Sequence, residues 1–133
     1  MRFRTCSFLL VCLAACGGCS KTKSTDELIA DLKSGQERER LVAVRLLPQR
    51  KADSGKVVPA LTEALKDKEG DIRWSAAIGL GYFADQAKEA VPALEALQKD
   101  RDARVREGAG LALSRIDPAN YRYSYKKARS PIK

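Results

Sequence analysis

Val57-Val58-Pro59-Ala60-Leu61 returns as Ala90-Val91-Pro92-Ala93-Leu94, 33 positions further on. The same step carries Ile72-Arg73 onto Val105-Arg106, Ala76 onto Ala109 and Leu80 onto Leu113. Taken towards the N-terminus, it carries Arg73 to Arg40, Ala76 to Ala43, Leu80 to Leu47, Leu61 to Leu28 and Leu65 to Leu32, without a gap. A unit of this length cannot bury an apolar face by itself. Copies must stack, and each contacts only its neighbours.

Within each copy the apolar residues fall at helical spacing, in two stretches separated by a polar break. In the middle copy the first stretch runs from about Lys56 to Lys66, with Val58, Leu61 and Leu65 on one face. Pro59 suits a first helical turn, where a missing N–H costs nothing. Asp67 to Gly70 forms the break. Ile72, Ala76, Leu80 and Phe83 mark the second stretch, with Trp74 and Ala77 widening its stripe. Asp67, Asp100 and Ser34 share one register and are expected to cap the helices that follow. Ser34 with Glu37 has the capping-box spacing. Ala76, Ala77, Gly79 and Gly81, then Gly108, Ala109, Gly110 and Ala112, crowd the second helices with small residues. Glycine inside a helix costs ~1 kcal/mol relative to alanine, and close helix packing is the reading that offsets it. The expected fold is all-α: a short solenoid of about three antiparallel helix pairs over residues 26–117.

Asp100, Val105-Arg106, Ala109 and Leu113 stand at a spacing that resembles the short HEAT-like repeats first described in phycobilisome lyases. Asp67, Ile72-Arg73, Ala76-Ala77 and Leu80-Gly81 match the same pattern. The first copy departs from it: Glu39 replaces the aliphatic residue, and Pro48 cuts the second helix short. Ankyrin and tetratricopeptide repeats have similar periods, but their signature residues are missing or out of register. The resemblance implies a helical architecture and says little about activity.

Arg40, Arg73 and Arg106 form a ladder, one per copy. Such a row offers a binding strip for acidic ligands, or each arginine pairs with an aspartate of a neighbouring loop, Asp67 and Asp100 being the candidates. As surface pairs these would contribute only ~0–1 kcal/mol. Trp74 either packs between repeats or stands exposed as an anchor for a partner.

The N-terminus has a different character. Arg2 and Arg4 precede the apolar run Phe8 to Leu13, and small residues follow, the layout of a secretory signal peptide. The run is too short to span a bilayer, which takes ~20 apolar residues. Leu13-Ala14-Ala15-Cys16 resembles the lipobox of bacterial lipoproteins. That resemblance implies cleavage after residue 15, lipid on Cys16, and a linker over 16–25. Cys6 and Cys12 would leave with the leader, and Cys19 would remain as a single thiol.

Of 25 basic residues, two lie in the leader and five at 119–133, so 18 face all 17 acidic ones in between. The body is near neutral, which with export argues against a nucleic-acid partner. The stretch 118–133 is basic and alternates Tyr121, Tyr123 and Tyr125 with polar residues. It is expected to be a solvated end, or to pair with something, an anionic surface included.

The chain has no histidine, so imidazole chemistry is excluded, and no nucleophile–base pair or phosphate-binding glycine loop stands out. No catalytic residue, metal or cofactor is expected. The expected function is a lipid-anchored protein-interaction module of the bacterial cell envelope, with an unidentified protein partner. Candidate contacts are Arg40, Arg73, Trp74, Arg106, Tyr121, Tyr123 and Tyr125. The alternative, implied by the resemblance alone, is a lyase-type enzyme or its accessory subunit.

Overall fold

The structure is a computed structural model that describes residues 22–122. Cys16, the lipobox-like motif, Cys19, Tyr123 and Tyr125 lie outside the described residues. Six α-helices follow one another: α1 (Thr25–Asp31), α2 (Glu37–Leu46), α3 (Ser54–Ala64), α4 (Gly70–Gly81), α5 (Val91–Leu97) and α6 (Ala103–Ile116). Short 3-10 segments at Leu47–Gln49, Lys51–Asp53 and Ala84–Ala90 join one pair to the next. No strand occurs among the described residues.

The pairs are α1/α2, α3/α4 and α5/α6. The first helices end at Asp31, Ala64 and Leu97, and the second begin at Glu37, Gly70 and Ala103, so every hairpin keeps the 33-residue step. Five residues join the helices of each pair, which forces them antiparallel. The connections between pairs are less regular, because α3 and α5 start at different depths in their repeats.

Equivalent residues are buried equally. Leu28, Leu61 and Leu94 from the first helices, and Ala43, Ala76, Ala109, Leu47, Leu80 and Leu113 from the second, are all inaccessible to solvent. They form one core that runs through the three pairs. At the remaining core register Ile72 and Val105 are buried, whereas Glu39 is half-buried and accepts a hydrogen bond from the Ser34 hydroxyl. Among the described residues no repeat covers the first copy from the N-terminal side, and a polar residue is tolerated there.

Four local expectations need correction. Pro59 is not in a first turn: α3 starts at Ser54, and the proline sits inside the helix. The carbonyl it leaves without a donor belongs to exposed Gly55, where water can reach it. Its counterpart Pro92 does lie in the first turn of α5. The Ser34–Glu37 capping box does not form. Gln36 is the N-cap of α2, and Ser34 instead accepts from the Gln36 N–H at 3.1 Å. The capping box is at Ser24 and Glu27, at the start of α1. The α4 stripe does not extend to Trp74, which is 38% exposed, although Ala77 is fully buried. Finally, α4 ends at Gly81, and Phe83 enters the core from beyond its end.

The small residues mark close approaches. A Cβ on Gly81 would lie 3.2 Å from the Ala112 Cα of α6, and one on Gly79 would lie 2.8 Å from the Pro48 ring. Chain reversal after α4 uses Ala84 at φ 46°, a left-handed conformation that glycine adopts more easily.

Candidate functional site

The arginine ladder occupies the hairpin loops. Asp67 and Asp100 lie two residues into those loops and each accepts the N–H two residues on, from Glu69 at 2.9 Å and Asp102 at 2.8 Å. They therefore fold the loop rather than cap the first helical turn. Each carboxylate also takes the arginine of the preceding copy in a two-point contact. Arg40 reaches Asp67 at 2.7 and 3.3 Å, and Arg73 reaches Asp100 at 2.8 and 2.9 Å. The third nitrogen of each guanidinium turns back to its own loop. Arg73 Nη1 donates to the carbonyls of Asp67 and Lys68, Arg40 Nη1 to those of Ser34 and Gly35, and Arg106 Nη1 to those of Asp100 and Arg101.

The side chains of both ion pairs are about a tenth exposed or less. They are buried pairs, which corrects their reading as surface contacts. Burial pushes the two aspartates up, but the guanidinium and loop N–H hydrogen bonds outweigh it, and the net displacement is below the usual carboxylate range. Arg40 and Arg73 are correspondingly raised by the hydrogen bonds they donate to their aspartates. With both carboxylates engaged, Arg40 and Arg73 join repeats and present no open strip to a ligand.

The surface with free binding capacity lies on the second helices. Val42 and Leu46 of α2, Trp74 of α4 and Tyr82 just past its end are the exposed large apolar side chains among the described residues. Between α2 and α4 runs a cleft of about 450 Å³. Trp74, Ile78 and Tyr82 form its α4 wall, and Val44, Pro48 and Lys51 the opposite one. Pro48 sits over Gly79, which closes the floor. Trp74 thus has two roles: its ring edge lies where a Cβ on Gly108 would be, at 2.9 Å, and another part of it lines the cleft. Ser75 also lines the cleft, and its buried hydroxyl has no hydrogen-bond partner. The Arg115 guanidinium stacks 5.4 Å from the Tyr82 ring centre.

Tyr121 is on the body, not in a free tail. Its hydroxyl donates to Glu95 of α5 at 2.5 Å, its N–H donates to the Asp117 carbonyl, and its ring packs against the core. Of the sequence candidates among the described residues, only Trp74 lines the cleft. Arg45, Tyr82 and Ser75 complete its lining and carry no periodic sequence signal.

A stack of antiparallel helix pairs with one continuous core and a grooved second-helix face is an α-solenoid. Residues 25–119 match the HEAT repeats family, and the chain belongs to it. Repeats of this family generally mediate protein–protein contact, and the chain is a helical scaffold of that kind. No curated protein matches the chain.

Proposed function

We propose that the protein is a non-catalytic interaction module of the bacterial cell envelope, held at a membrane by lipid on Cys16, with its second-helix face docking another protein. The anchor rests on Leu13-Ala14-Ala15-Cys16 behind a charged and apolar leader. Among the described residues no helix is long and apolar enough to cross a membrane. The single observation that carries the interaction reading is the cleft between α2 and α4, with exposed Trp74 and Tyr82 on its wall. Aromatic side chains set in a groove are typical anchors of protein interfaces.

Two measurements in the native host test the two halves. A clickable fatty acid labels the wild type and not Cys16→Ser; equal labelling of the variant overturns the anchor. Photo-crosslinking residues placed at Val42, Leu46 and Tyr82 give discrete protein adducts. No adduct at any of them overturns the interaction reading.

A further inference from the structure

We infer that the α2–α4 cleft receives a short acidic peptide segment carrying an apolar side chain. This rests on the interaction reading and specifies its partner.

The cleft wall sets the length. Trp74 and Tyr82 are eight residues apart, which along a helix is about 12 Å. An extended chain advances ~3.3 Å per residue, so roughly four residues span the two rings. The volume of about 450 Å³ falls within the range of preformed ligand pockets. The contact of Trp74 with Gly108 of α6 sets the indole before anything binds, which lowers the ordering cost of association.

The chemistry of the walls sets the composition. Arg45 and Lys51 line the cleft and no carboxylate does. Arg115, stacked on Tyr82, adds a third cation at that end. The complementary ligand is therefore acidic, with an apolar group for the Trp74–Ile78–Tyr82 wall. The cations Arg45, Lys51 and Arg115 favour a carboxylate-bearing peptide over a neutral hydrocarbon chain. The chain's own segment 119–133 has the wrong charge, five basic residues and no acidic one.

The test uses the full chain in phosphatidylcholine vesicles and its single tryptophan, Trp74, as reporter. The probes are the blocked hexapeptide Glu-Asp-Leu-Phe-Glu-Asp, a version with lysine at the four acidic positions, and a version with glycine at the two apolar ones. The acidic apolar peptide shifts Trp74 emission saturably. Both other peptides bind about tenfold more weakly or not at all. The exposed substitutions Arg45→Glu with Lys51→Glu reverse the charge preference while the far-ultraviolet circular dichroism stays unchanged. Equal binding of acidic and basic peptides, or no saturable shift, overturns the inference. So does a response to phosphatidylserine vesicles alone, which would make the occupant a lipid. Cellular adducts at Val42 that survive Arg45→Glu with Lys51→Glu, together with silent peptides, overturn the cleft ligand and leave the interaction reading standing. Absence of every adduct without those charge reversals removes both.

Discussion

At the residue scale, the arginine–aspartate pairs bind the repeats and also make them sensitive to acid. Asp67 and Asp100 have depressed folded-state pKa values, with burial opposing and the arginine hydrogen bonds prevailing. Below an unfolded-state value of about 3.9 the unfolded chain takes up protons that the folded chain resists, so stability rises with pH in that window. The contribution is whole above about pH 5 and is lost as pH falls through the folded-state values. Removing one partner of a buried pair costs ~3–5 kcal/mol, because the other charge stays desolvated. Asp100→Asn should therefore be less stable by about that amount at pH 7 and should show a shallower acid dependence. Urea unfolding at a series of pH values checks both. The ladder itself was legible from the 33-residue step. Its burial was not, since the covering comes from the next repeat's loop.

At the element scale, one residue type has opposite consequences in different places. Gly55, in the first turn of α3, has open space where a Cβ would go. Gly108 of α6 has the Trp74 ring 2.9 Å away. Gly55→Ala should stabilise the fold by up to ~1 kcal/mol through helix propensity. Gly108→Ala has the same propensity gain but overpacks the helix contact, which typically costs ~1–3 kcal/mol. It should lower stability and move Trp74 emission, whereas Gly55→Ala should leave the emission unchanged. Chemical denaturation with fluorescence separates the two. Helix ends show the same division. The second helices start on the repeat step because Asp67 and Asp100 fold the loops before them. The starts of α3 and α5 differ because the connections before them differ, and Pro59 and Pro92 follow those starts rather than setting them.

On the scale of the whole molecule, one core passes through all three pairs, so the repeats should unfold together. Leu80 lies at its centre, inaccessible to solvent. Leu80→Ala should cost ~2–5 kcal/mol, a large share of the ~5–15 kcal/mol available to a domain of ordinary stability. Melts followed by Trp74 emission, which reports the middle copy, and by circular dichroism, which reports all three, should coincide in the wild type. In the variant they should shift together. A shift of only a degree or two would remove Leu80 from the core, and separated transitions would show that the copies fold independently.

The repeat step, the helix-pair architecture and the core register were determined by sequence alone. Leucine, alanine and arginine at fixed offsets place equivalent side chains in equivalent surroundings, whatever the connections do. Tertiary structure decided which of those side chains remain available. Arg40 and Arg73, read as possible contacts, are engaged by aspartates 27 residues away. Trp74 is half withdrawn by a glycine on α6. The cleft exists only because the Leu47–Gln49 turn after α2 brings Pro48 and Lys51 opposite α4. A repeat pattern describes what the copies share, and this cleft is built from what they do not: Ser75 has Val42 and Gly108 as its counterparts, and Trp74 has Leu41 and Glu107. Those differences carry no periodic signal, so only the packing of one pair against the next brings them together.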